Sequence, residues 1–345
     1  MVADVADLIQ RRERRLLNQK HQRHALVLET LRRVWEQGRR PDSIRLRHEF
    51  VLGGDGVAPP LSRLMRSRGS ALRFYLLAIF DAQCRLAIGE SVSPNTRPLN
   101  GGGQVDGWAD FISIDAAYDG VTGTYLRSTK QTRTETTARL RQVQGALRTL
   151  EQEHLVLIPT KPSKGDRDYG RFQLLSDDSR GNRPTPHVYR VPSSGLLRPL
   201  VPRDFFLHGW VHVLSPSEIV TWLVLRLLRK RFPDSHDESG VFLYADAREG
   251  QFGLKRDAYE DGCAMLQRLG LIRRASKHTA LEALTWETLY QQPNRPQRYE
   301  PYRYQLTDEG LAQDAMASCL KVLVLEKKRL AERARDRADA ENEVP

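Results

Sequence analysis

Apolar positions fall into two periodic blocks separated by turn-rich stretches. Residues 3–38 carry Leu8, Ile9, Leu16, Leu17, Leu28, Leu31 and Val34 among Arg and Gln, which predicts a helix closed by Pro41 and Asp42. Residues 51–69, with Gly53, Gly54, Gly56, Pro59 and Pro60, read as a linker that ends in Arg63, Arg66 and Arg68. Leu72, Tyr75, Leu76, Ile79 and Phe80 have helical spacing over about 70–87. Pro94, Pro98 and Gly101–Gly103 then impose a loop, and Trp108–Ile114 suits either a short strand or a short helix. Residues 115–130 have no clear period.

A long helix is predicted from Thr134 to about residue 152. Successive residues turn by about 100°, so Thr136, Leu140, Val143, Leu147 and Leu150 share the expected core side. Thr134, Ala138, Arg141, Gly145, Arg148 and Gln152 share the opposite side, flanked by Thr137 and Gln142. The apolar run Leu155–Ile158 ends at Pro159. A basic loop with Lys161, Lys164 and Arg167 precedes a second strand-like run, Tyr169–Leu175, which includes Arg171.

The Pro-, Ser- and Arg-rich stretch that follows places a linker at 193–204, and the pattern then begins again near Phe205. Ser215, Pro216 and Glu218 form a capping-box start for a helix carrying Ile219, Val220, Leu223, Leu227 and Leu228. Phe242–Tyr244 suits a strand, and 254–269 a helix with Gly270 as its cap. Leu271–Ile272 and Tyr302–Leu306 suit a second strand pair. A last helix is expected from Thr307 or Asp308 to about residue 340.

Helix, long amphipathic helix, Leu-rich turn and strand–loop–strand thus occur twice. The residues that carry the pattern are Leu147, Leu150, Leu155, Val156 and Ile158, and then Leu266, Leu269, Leu271 and Ile272. The chain resembles the winged-helix branch of the helix-turn-helix superfamily in tandem, as in plasmid replication initiators and some bacterial transcription regulators. That resemblance implies a mainly α fold with small β-wings (α+β). Its units would be a basic helix at 1–50, winged-helix domains at 70–192 and 205–310, and a C-terminal helix and tail at 311–345. It also implies a partner, double-stranded DNA.

Charge agrees with that partner. Lys and Arg number 54 against 43 Asp and Glu, a net charge of +11. Forty-four of the 54 are Arg, which a GC-rich genome would also produce; the net charge is the part that calls for a polyanion. The outer side of the 134–152 helix carries the residue types that read base edges: Arg for guanine, Gln for adenine, Thr and Ala for the thymine methyl. Thr134, Thr137, Ala138, Arg141 and Gln142 are therefore expected near bases, and Arg148 near phosphate or a further base. Lys161, Lys164, Arg167 and Arg171 on the wing are expected on backbone phosphate or the minor groove. A solvated helix face and a solvated loop are the plain alternatives.

In the second unit, Lys255, Arg256 and Lys277 are candidate backbone contacts, but Asp257, Glu260 and Asp261 share the outer side of its helix. That surface is expected to read DNA weakly or to meet protein. Met316, Leu320, Leu323, Leu330 and Ala334 approximate a heptad seam. A homodimer through the C-terminal or N-terminal helix and an intramolecular cover are both open.

Cys84, Cys263 and Cys319 show neither disulfide nor zinc spacing. His208 and His212 lack the HExxH glutamate, and no P-loop or GxSxG motif occurs. No enzyme, cofactor or metal is expected. Without a signal-like segment or an apolar run long enough to span a bilayer, a cytoplasmic, nucleoid-associated protein with no membrane partner is expected.

Overall fold

The structure is a computed structural model. It describes residues 2–342 except 55, 68–69, 103–104, 114–117, 120–123, 126–130, 163–164, 179–186, 194–197 and 276–301. It is mainly helical, with small antiparallel sheets.

The single N-terminal helix expected over 3–38 is two helices, Val2–Gln22 and His24–Gln37, broken at Arg23. The break lets each bury its stripe against a different partner. The first packs on the C-terminal helix Ala315–Asn342, the second on the turn Trp108–Phe111 and on Asp204–Leu207. The second ends at Gly38, where a Cβ would fall 2.3 Å from the Cys84 carbonyl oxygen.

Residues 51–69 are not a free linker. They hold the short helix Pro60–Arg63 and the 3-10 turn Leu64–Ser67, with Val51, Leu61 and Leu64 fully buried. The Gly53 amide donates to the Gln251 carbonyl at 2.7 Å, and Arg63 pairs with Glu153 at 2.5 Å. The segment is thereby wedged between the end of one long helix and the approach to another. Gly253, at φ +61°, sits so close that a Cβ would meet the Ser62 Oγ at 2.6 Å. Of the stretch 193–204, Leu200–Pro202 is likewise engaged, pairing antiparallel with Ser43–Arg45. Turn-forming residues marked both stretches as linkers, but their few apolar side chains (Leu61, Leu64, Val201) reach core.

In the first unit the Ser70–Arg85 helix is almost wholly buried and packs on the Gln131–Gln152 helix. Val156–Leu157 pairs antiparallel with Gln173–Leu174. The Tyr189 amide donates to the Leu174 carbonyl and the Val92 amide to the Tyr189 carbonyl, each at 2.9 Å, so 188–191 and 91–92 extend the layer. Neither extension is marked by alternation in the sequence.

The second unit follows its predicted order closely. Ser215 caps Pro216–Arg231: its Oγ accepts from the Glu218 amide at 3.3 Å, and Glu218 accepts from the Ser215 amide at 2.9 Å. Val241 bridges Tyr304, and the helices Ala245–Gly250 and Arg256–Arg268 follow. Ile272–Arg274 then pairs antiparallel with Tyr304–Leu306. The strand expected at Phe242–Tyr244 reduces to that bridge. A Cβ on Gly262 would lie 2.6 Å from the Thr221 Oγ1, so glycine is what lets the two long helices of this unit approach so closely. The last helix begins later than expected, at Ala315, after a 3-10 turn at Asp308–Ala312.

Candidate nucleic-acid interface

The Gln131–Gln152 helix buries Arg139, Val143, Ala146, Leu147 and Leu150. Its core stripe is therefore turned from the expected one. Leu140 is only half-buried, and Arg139, absent from the sequence reading, is 3% exposed and pairs with Asp110 at 3.3 Å. A charged residue in a core stripe has no periodic signal; only its partner, 29 residues earlier, shows why it can be buried. The rotation moves Gln142 inward. It is half-buried and lines a narrow space with Arg73, Phe74, Ser113 and His212, so it leaves the proposed reading face.

Thr137, Ala138, Arg141, Arg148 and Gln152 are exposed. Thr134 lies within the helix, with its side chain outside the described residues. A Cβ on Gly145 would meet nothing within 4 Å, so the outer side is open at its middle. Arg148 is less free than expected. Its Nε donates to the Tyr169 hydroxyl at 2.7 Å, and its guanidinium lies 5.5 Å from that ring's centroid. This contact fastens the helix to the hairpin beside it.

That hairpin continues past Val156–Leu157 through the Thr160–Arg167 bridge. Its tip closes through Lys161 N–H to the Asp166 carbonyl at 2.7 Å and turns on Gly165, at φ +66°. Lys161 and Arg171 are exposed. Arg167 is ion-paired with Glu151 and donates to the Ile158 carbonyl at 3.3 Å. It holds the hairpin to the helix, so it does not stand ready for phosphate. Lys164 lies outside the described residues. Glu151 and Glu153 are thus taken up by arginines, whereas Asp166 at the hairpin tip is exposed; Arg141, Arg148, Lys161 and Arg171 are exposed positive groups of this face among the described residues.

On the second unit's helix, Lys255, Asp257 and Asp261 are exposed. Arg256 pairs with Glu260 at 2.8 Å, and Arg268 with Glu326 at 3.4 Å. Lys277 lies outside the described residues. The exposed carboxylates Asp257, Glu260 and Asp261 thus stand beside exposed Lys255, Arg256 and Arg268 on this helix.

The terminal helices meet within the chain. Met316, Cys319 and Leu323 are buried, and Lys327 is ion-paired with Glu13 of the first helix. The seam is therefore filled in cis through Leu323, and Glu326 and Lys327 carry the contact about one turn further, while Val324 and Leu325 are exposed. Arg12 turns inward to a bidentate pair with Glu218, at 2.5 and 2.8 Å. Burial pulls the Arg12 pKa down, but the Glu218 carboxylate more than reverses this and leaves it raised.

His208 and His212 do not converge on a common point. The His208 Nδ1 lies 2.8 Å from the Leu311 carbonyl, and His212 is buried edge-on to His24, with ring centroids 6.4 Å apart. Among the described residues no group of three His, Cys, Asp or Glu is placed to hold a metal ion, and no helix is long and apolar enough to cross a membrane. The chain matches no protein-family model, no curated protein and no solved structure.

Proposed function

We propose that the chain is a non-enzymatic, site-specific double-stranded DNA-binding protein built on two winged-helix units. It would act in the cytoplasm on the nucleoid, as a transcription regulator or a replication initiator. One observation carries this reading. The exposed side of the Gln131–Gln152 helix presents Thr137, Ala138 and Arg141 beside a hairpin bearing Lys161 and Arg171, and Glu151 and Glu153 at the helix end are paired with arginines. A convex helix flanked by a basic hairpin suits a major groove and the phosphates beside it.

Arg141→Ala is expected to weaken binding to the selected site by about 1–3 kcal/mol and to relax base preference at one position. Lys161→Ala is expected to weaken all sequences alike and to flatten the salt dependence by about one charge. Selection from random duplexes, followed by titration at several salt concentrations, measures both. Specific binding indifferent to Arg141 would remove the proposed reading helix.

The exposed carboxylates Asp257 and Asp261 favour a second role for the other unit, as a protein-docking adaptor in a nucleoprotein assembly. Asp257→Lys with Asp261→Lys should leave site preference unchanged; a changed preference would place that helix on DNA. Self-association, in this reading, uses the exposed part of the last helix beyond residue 327. Sedimentation of a chain ending at residue 327 should then show loss of any dimer.

A further inference from the structure

A groove of about 610 Å³ lies between the Arg256–Arg268 helix and the second hairpin. Its size is that of a small-ligand site. Neither the duplex-reading face nor the core accounts for it.

Four tyrosines line it. Tyr259 and Tyr304 are buried, whereas Tyr244 and Tyr302 are 54% and 52% exposed. The Arg274 guanidinium lies 3.6 Å from the Tyr302 ring centroid, so two planar groups are already layered there. A third flat ring can extend that layer, as bases do on aromatic and arginine platforms.

The charge of the lining is positive. Arg248, Arg256 and Arg274 line it with one carboxylate, Glu260; Arg256 pairs with Glu260 at 2.8 Å and Arg248 with Glu249, just outside the lining, at 3.0 Å, so the excess positive charge of the lining is centred on Arg274. Arg256 also opens a 13-residue helix whose first turn has no side-chain cap, which leaves amide N–H groups and their partial positive charge at that end. The buried Tyr259 hydroxyl has no nitrogen or oxygen partner among the described residues; only the Cys263 thiol lies beside it. A thiol is a weak hydrogen-bond partner, so among the described residues this hydroxyl keeps capacity for a stronger one.

We propose that this groove binds one unstacked nucleotide, its base layered on the Tyr302–Arg274 stack and its phosphate drawn to the net positive lining around Arg274 and Arg256. The same chemistry is offered by a free mononucleotide and by a residue of a single strand. Duplex reading by the first unit is not required for it.

The full-length protein is titrated with thymidine and adenosine monophosphates and with a labelled eight-nucleotide oligodeoxythymidine. Saturable binding of at least one is expected. Tyr302→Ala should weaken it about tenfold or more, while Tyr302→Phe, which keeps the ring, should stay within about twofold. Arg274→Ala should weaken it as well. Duplex affinity should be unchanged in all three, which separates this site from the first unit's interface. Binding of the oligonucleotide but not the monophosphates identifies a strand as the source; binding of the monophosphates identifies a free nucleotide. Should Tyr302→Ala unfold the domain, Tyr244→Ala, also half-exposed in the lining, gives the same reading. Absence of all binding, or binding indifferent to the loss of either ring, overturns the proposal.

Discussion

Arg12→Met is expected to cost about 3–5 kcal/mol of unfolding free energy, because it leaves the Glu218 carboxylate buried without its counter-charge. The Glu218 side chain is 5% exposed and that of Arg12 14%. The pair joins three parts of the molecule: the first helix, the capped start of Pro216–Arg231, and the last helix at Cys319. Burial alone would raise the Glu218 pKa; Arg12 outweighs burial and holds it below the ordinary 4.5. Its stabilisation is therefore present above about pH 4.5 and is lost as pH falls through the lowered folded value. In the Arg12→Met protein the sign reverses, since burial then dominates and the folded carboxyl takes up its proton first. The gap between the two proteins should narrow in acid. Adding Glu218→Gln, which keeps an acceptor for the Ser215 amide, should restore most of the loss. Urea unfolding at pH 7 and pH 5 measures all three. A loss below about 1 kcal/mol at pH 7 would mean that the pair acts as a solvated one.

The protein is expected to lose stability steeply below about pH 6.5. His24 and His212 are 5% and 3% exposed, and neither ring nitrogen of His24 has a hydrogen-bond partner among the described residues. Burial lowers the His24 pKa, against an opposing pull from Asp314. Burial, His24 and Arg73 together hold His212 well below its ordinary value of 6.5. Both imidazoles therefore take up protons at lower pH in the folded state than in the unfolded chain, which does so near pH 6.5. The unfolded state then binds more protons, so stability is full above that pH and falls as pH drops. Two such groups set a slope of up to about 2.7 kcal/mol per pH unit, from about 1.36 kcal/mol for each. His212→Leu should reduce the slope to about one proton. Unfolding free energies between pH 7 and pH 5, above the Glu218 window, report it. A flat profile there would show that the two rings titrate as solvated groups.

Much of the proposed interface was legible in the sequence. The capping box at Ser215–Glu218, the hairpin after each long helix, and Thr137, Ala138 and Arg141 on an open face all follow from periodicity and turn chemistry. These are local features, set by residues within a few positions of one another. Gly262 and Gly253 were not legible, because each answers a close approach by a side chain about 40 or 190 residues away.

The Gln131–Gln152 helix divides the two. Sequence by itself determined that a long amphipathic helix lies within 131–152, followed by a basic hairpin, on a chain of charge +11. Tertiary structure decided how far that helix is turned about its axis. Asp110 makes it possible to bury Arg139, and that turn carries Gln142 inward. Tertiary structure also decided which arginines stand free. Arg12, Arg63, Arg148 and Arg167 look alike in the sequence, yet each is taken by Glu218, Glu153, Tyr169 or Glu151. Periodicity fixes a residue's direction on its own helix, whereas a charge's availability depends on partners that only folding brings within reach.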